Sequence, residues 1–240
     1  MPESTSSQRG SSTTTPYTLN HFALFSFSDR YFDLSSLEKQ AFHQELLSGF
    51  RSTAERVYLY QVYPVQAQVD FLVWSALKVE EPSSAGQFFT CFAQVTGPHR
   101  KWLKPVSSLW GFTRPSQYTK ARSTQEVDPF DEERKPYLIL YPFVKTMDWY
   151  LMSREARQGM MNEHIRIGKG FPEITQLLLY SFGLQDQEFI VVYETDDLKK
   201  FSDLVYTLRD TEARRFTERD TPNYTAVYHP AEQTLGLWES

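Results

Sequence analysis

One cysteine, Cys91, stands in a chain of 240 residues. A single thiol excludes an internal disulfide framework, a four-cysteine zinc site and a cysteine-held iron–sulfur cluster. No run reaches the roughly 18 apolar residues that a membrane-spanning helix needs. Cationic excess is missing as well. Lys+Arg number 25 against 30 for Asp+Glu, a net charge of −5, and no basic block breaks the pattern, so nucleic acid is not an expected partner. Residues 1–16, MPESTSSQRGSSTTTP, lack the hydrophobic stretch of a secretory signal. They read as a disordered Ser/Thr-rich tail, with an organelle transit peptide as the other reading, and the expected location is cytoplasmic.

Aromatic residues, by contrast, make up 15% of the chain, which suits a folded core with large side chains. The length allows two modules of about 100–120 residues, each able to bury a core of its own. From residue 17 onward, strand and helix signals alternate. Residues 22–27 (FALFSF) read as a strand, and 35–56 as a helix whose Leu37, Phe42, Leu46, Leu47 and Phe50 recur every three or four positions behind a Ser35 or Ser36 cap. Strands follow at 57–65 and 69–77, a helix at 84–95 ended by Gly97-Pro98, and a closing strand at 109–118.

The second half repeats the order. It has a strand at 136–143 (PYLILYPF), a helix at 153–168 capped by Ser153, strands at 174–182 and 187–193, a helix at 198–208 with one apolar face, and an extended stretch at 216–228. The expected fold class is therefore α+β: two ferredoxin-like βαββαβ repeats pairing their sheets into one barrel within a single chain. The expected modules are 17–119 and 136–230, joined by a polar linker at 120–135 that carries Pro129.

Of five histidines, His43 sits beside Gln44 and Glu45 on its helix and reads as solvated. His99 falls in a Gly-Pro-His loop, and His21 and His229 lie near element ends. His164 differs. Met160, Met161, Ile167 and Gly168 share its helix face. An imidazole on an apolar stripe that ends in glycine is either a buried histidine bonded to a neighbour or a ligand to a metal or haem iron. No second His or Cys stands at zinc-site spacing, whereas haem iron needs one axial histidine only.

The strings YPFVKTMDWYLMSREARQGMMNEH, YSFGLQDQEFIVVYETDD and LVYTLRDTEARRFTERDTP resemble the chlorite dismutase–coproheme decarboxylase family, with WGFTRPSQYT adding to the likeness in the first half. That resemblance implies a haem-binding oxidoreductase of two ferredoxin-like repeats, commonly a homopentamer, holding haem b or iron coproporphyrin III. It implies that His164 is the axial iron ligand and that Glu212 accepts the other imidazole N–H. It gives Tyr141 and Lys145 the places of the redox-active tyrosine and the propionate-facing lysine of the coproheme decarboxylase branch. Tyr118 and Trp149 fall among the porphyrin contacts. Chlorite dismutases carry a distal arginine on the strand after the proximal helix, but no arginine occurs between Arg166 and Arg209. Gln176 falls at that position, with Thr175 the other candidate. Arg214 stands where the decarboxylases are expected to carry a small hydroxyl residue, and either pairs with a propionate or faces solvent. The implied activity is hydrogen peroxide-dependent conversion of iron coproporphyrin III to haem b through a tyrosyl radical. The alternatives are a chlorite dismutase-like or peroxidase-type haem enzyme without the distal arginine, and a non-catalytic haem-binding or haem-sensing protein.

Overall fold

A computed structural model describes residues 17–115, 118 and 124–239. The expected tail at 1–16 and residues 120–123 of the expected linker lie outside the described residues. The first half runs β1 (Tyr17–Phe27), a single helical turn α1 (Asp29–Phe32), α2 (Ser36–Thr53), β2 (Arg56–Gln61), β3 (Phe71–Val79), α3 (Ser84–Thr96) and β4 (Leu103–Phe112). The second runs β5 (Tyr137–Lys145), α4 (Met147–Leu151), α5 (Arg154–Gly168), β6 (Thr175–Tyr180), β7 (Phe189–Thr195), α6 (Leu198–Leu208), β8 (Thr217–Arg219), β9 (Tyr224–Tyr228) and α7 (Ala231–Gly236).

Each half pairs its strands in the ferredoxin-like order, β4-β1-β3-β2 and β6-β7-β5-β9. The halves join twice, at β2–β9 through Tyr60↔Tyr228 and Gln61↔Val227, and at β4–β6 through Phe112↔Tyr180. Eight strands thus close into a ring, and β8 lies beside the end of β5. Closure explains the strand compositions. A strand with the barrel core on one side and helices on the other is buried on both faces, so it reads as a continuous apolar run. In β1, Phe22 and Leu24 point into the barrel, while Leu19, Ala23 and Phe25 point to the helices.

The helices cover the outside. Ser35 and Glu38 close a reciprocal capping box at the start of α2, and Phe42, Leu46 and Phe50 press that helix onto β1 and β3. On the C-terminal half, Ile139, Val191, Tyr193 and Leu204 form a smaller outer cluster.

Several expectations need correction. The closing strand begins at Leu103, six residues earlier than its apolar pattern suggested, because a register shift opposite Phe25 accommodates Pro105 inside the strand. The strand expected through residue 65 stops at Gln61. His43 is not solvated. Its Nε2 lies 2.8 Å from the Tyr31 hydroxyl and its Nδ1 3.3 Å from Glu239, a residue brought over it from the far end of the sequence. His21 and His99 are buried too. The described part of the linker is packed: Val127 is 3% exposed in the barrel core. The Arg134 side chain, 2% exposed, lies over the rings of Tyr58 and Trp74 and pairs with Glu194 at 3.5 Å. Finally, the chain continues past 230 into α7, which returns to the first half and buries Leu235 there.

Candidate functional site

The packing of α5 is unlike that of α2. The latter buries seven residues against the sheet, whereas α5, fifteen residues long, buries none fully. The sheet surface it faces is equally unfilled, since Tyr141, Phe143 and Leu178 are only partly buried there. Close-packed interiors leave few voids larger than a water molecule. A helix and a sheet that oppose apolar side chains without fully burying them leave an incompletely packed slot between them.

Local chemistry fixes the helix that forms one wall. Ser153 Oγ accepts the Ala156 N–H at 3.2 Å as its N-cap. At the other end, Gln125 Nε2 donates to the carbonyls of Gly168, Phe171 and Ile174 at 2.9–3.2 Å, pinning the turn that leads into β6. Periodicity then aligns Met160, Met161, His164, Ile167 and Gly168 on one face, and Ile167 touches the outer cluster of the C-terminal half, which orients that face toward the sheet.

The His164 imidazole makes no hydrogen bond among the described residues. Burial, and secondarily the positive charge of Lys145, hold its pKa below the usual histidine range, with Glu163 opposing. It is therefore neutral near pH 7, with a lone pair free to donate to a metal. No group of three His, Cys, Asp or Glu side chains stands ready to cage an ion among the described residues. An isolated neutral imidazole among incompletely buried apolar side chains fits a metal whose remaining ligands are not protein side chains.

Alternation along β5 puts Tyr141, Phe143 and Lys145 on the opposite wall. Burial pushes the Tyr141 phenol well above its ordinary pKa, as does its neighbour Tyr193, whose ring centroid lies 6.0 Å away. Lys145 Nζ sits 4.6 Å above the buried Trp149 ring and donates to Thr217 Oγ1 at 3.1 Å and to the Ala213 carbonyl at 3.3 Å. Desolvation, then the charge of Arg214, lowers its pKa to about 8.

On β6, Gln176 pairs across the sheet with Tyr193 and shares the slot face with Leu178. Thr175 turns the other way, its hydroxyl donating to the Glu194 carbonyl. Alternation thus separates the two distal candidates, leaving Gln176 toward the slot. Tyr118 lies along the N-terminal half of α5, its carbonyl accepting from Gln158 Nε2 at 3.3 Å, and its side chain is near enough to Tyr150 and Tyr180 to help raise their phenol pKa values, after burial. Arg214 is not simply solvated. Asp220, which also holds Arg209 at 2.8 Å, pairs with it at 3.3 Å, and this places its charge beside Lys145.

Glu212 departs from the expected arrangement. Its carboxylate pairs with Arg215 at 3.3 Å with a side chain 63% exposed, and its backbone N–H donates to Glu163. The acidic charge that reaches His164 comes from Glu163, the residue just before it in sequence. In a polar 3-10 turn with several cations in reach, Glu212 has a nearer partner than the imidazole.

Sequence reasoning did not single out Tyr193, Gln125 or Arg157. Tyr193 looked like one more aromatic in an apolar strand. Only Arg157 carried a readable signal, standing seven residues before His164 and so on the same helix face.

The profile of the chlorite dismutase family matches residues 37–229. A coproheme decarboxylase of Mycolicibacterium smegmatis is 33% identical over 168 residues, 70% of this chain and 70% of that protein. Among solved structures, chlorite dismutase from Candidatus Nitrospira defluvii in complex with imidazole superposes with a TM-score of 0.80 at 21% identity, covering 95% of this chain and 97% of that one. A point mutant of the same enzyme gives a TM-score of 0.81 at the same identity and coverage. With four-fifths of its length under one family profile and the barrel to match, the chain belongs to the chlorite dismutase family.

Proposed function

We propose that this chain is a coproheme decarboxylase, converting iron coproporphyrin III and hydrogen peroxide to haem b. The observation that carries the reading is the pairing of walls. His164 lies on one side of the slot, while Tyr141, Lys145 and Gln176 line the other, and β6, which carries Gln176, has no arginine. The similarity to the M. smegmatis coproheme decarboxylase supports it. The iron porphyrin, as substrate, supplies the redox chemistry when bound.

His164 would hold the iron through its neutral imidazole. Tyr141 would lose an electron and its phenolic proton to become a neutral radical, then take a hydrogen atom from the carbon next to the macrocycle in a propionate side chain. The carboxylate leaves as carbon dioxide and a vinyl group remains. Per propionate, two electrons pass to peroxide, which takes up two protons and becomes two waters. One of those protons is the abstracted hydrogen and the other comes from solvent. Lys145, with a pKa of about 8, is suited to orient the carboxylate while charged and to release or recover a proton near neutral pH. Gln176 is a neutral amide. It can donate a hydrogen bond to a ligand on the iron's far side, but it offers no Coulomb attraction for a hypochlorite anion. That weighs against chlorite decomposition. The same reading carries a homopentamer, a cytoplasmic setting and the division into modules at 17–119 and 136–230.

Mass spectrometry after adding iron coproporphyrin III and peroxide tests the proposal. Loss of two carboxyl groups is expected, with no oxygen release from chlorite in a parallel assay. Tyr141→Phe is expected to bind coproheme and not convert it, and His164→Ala to lose the imidazole–iron spectrum. Full turnover by Tyr141→Phe would remove the radical assignment. Chlorite-driven oxygen release without decarboxylation would favour the dismutase-like alternative.

A further inference from the structure

Arg157 occupies an unusual position. It lies seven residues before His164 on α5. Two helical turns return a side chain to the same face about 10.5 Å along the axis, so Arg157 and His164 share the wall of the slot. The Nε of Arg157 is buried and has no hydrogen-bond partner, and no acidic side chain pairs with its guanidinium among the described residues. The carboxylates nearby make other contacts. Glu188 accepts from the Tyr150 hydroxyl and the Lys145 N–H, and Glu155 folds back onto Ser153 and its own backbone at the helix start. Phenols gather here instead. The charge of Arg157 reaches Tyr150, which also feels Tyr118, and the carbonyl of Tyr118 is held by Gln158, the next residue along α5.

A guanidinium cannot shed its proton to escape burial. Leaving a buried donor of a charged group unsatisfied costs more than leaving a neutral one. Such a group on the wall of an open slot is complementary to an anion that enters the slot. Its displacement along the helix from His164 matters too. A group bound through its centre at His164 would present its rim, not its metal, to Arg157. The opposite wall already offers Lys145, with Arg214 held behind it by Asp220, beside the Tyr141 phenol. Cations therefore stand at two separate places around the slot, one with a redox-capable phenol and one without.

We propose that Arg157 anchors a carboxylate at the rim of the bound porphyrin that the reaction leaves intact, while the Tyr141–Lys145 wall receives the carboxylates that react. This rests on the reading of the slot as a porphyrin site, and deepens it by assigning which chain groups distinguish retained from reacting propionates. A bidentate guanidinium–carboxylate pair is directional, so Arg157 would fix the rotation of the macrocycle about the iron–imidazole axis and thereby decide which side chains face Tyr141.

The test is a Soret titration of the full chain with two probes, iron coproporphyrin III and its tetramethyl ester, which keeps the macrocycle and the iron but carries no anionic oxygen. Arg157→Gln is expected to raise the Kd for the tetra-acid about tenfold or more and to leave the Kd for the ester within about twofold. Arg157→Lys, which keeps the charge without the fork, is expected to fall between wild type and Arg157→Gln for the acid. It also serves as the folded control should the glutamine variant be unstable. Under peroxide, the released partly decarboxylated products of Arg157→Gln are expected to include regioisomers that wild type does not form. Equal losses for acid and ester in both variants would make Arg157 a packing residue and overturn the proposal, as would an unchanged Kd for the acid. Wild-type protein that binds neither probe would instead overturn the porphyrin reading itself.

Discussion

Acid should loosen this protein through a residue far from the slot. His21 sits in the middle of β1 among the rings of Phe88, Phe89 and Phe92, at centroid distances of 4.8–6.0 Å. Its Nε2 meets Ser108 Oγ at 3.0 Å, while Nδ1 is buried with no partner. A protonated ring would need a second acceptor that this aromatic nest lacks, and burial accordingly lowers its pKa from 6.5 to about 4. In the unfolded chain the ring takes its proton near its ordinary pKa, in the native state only near 4. As the pH falls between those values, the unfolded state binds more protons and is favoured. The stability held above pH 6.5 is thus lost progressively, and the loss levels off below 4. At 1.36 kcal/mol per tenfold change, the loss from this residue between pH 8 and pH 4.5 is about 2.5 kcal/mol. Urea unfolding followed by circular dichroism at both pH values measures it. Carboxylates titrate over the same range, so the useful quantity is the difference between wild type and His21→Gln, which retains an amide to meet Ser108. Wild type should lose about 2.5 kcal/mol more than the variant. Equal losses within about 0.5 kcal/mol would mean that the ring is hydrated or that the phenylalanine nest opens to admit the charge.

Other perturbations follow from the fold. Ser35→Ala removes the capping box of α2 and should cost about 1 kcal/mol in the same unfolding assay. Leu235→Ala, at a site 1% exposed, should cost about 3 kcal/mol; no effect would show that α7 is not part of the first half's core. Arg134→Met leaves Glu194 buried without its cation and should destabilise by about 3 kcal/mol. Adding Glu194→Gln should recover part of that loss, and a double variant worse than the sum of the singles would contradict the pairing.

The repeated order of elements was legible because strand and helix periods differ and because Ser35, Ser153 and Gly97 punctuate the chain. The helix at 198–208 coincides with α6 since its apolar face is unbroken. Patterns local in sequence therefore came through. What did not come through depended on partners far along the chain. His43 looked solvated because its own helix is polar at that point, and nothing nearby announces that Glu239 will cover it. Residues 124–135 read as a linker because their composition is polar, yet Val127 and Arg134 are drawn into the barrel by β6, Tyr58 and Trp74. The same applies to the slot. His164 stood out through its helical neighbours, and strand alternation foretold the shared face of Tyr141 and Lys145. Glu212 was assigned from resemblance, and the cations within its own turn decide where its carboxylate points.

Ring closure has a bearing on how the chain could be divided. Neither half seals its own sheet, since β2 and β4 are outer strands of one and β6 and β9 of the other. Severed between β4 and β5, the two fragments would each carry a pair of raw margins with hydrogen-bonding groups facing water. Produced together, they have each other's margins as the matching template. Produced singly, each would be left to dimerise with itself or to precipitate.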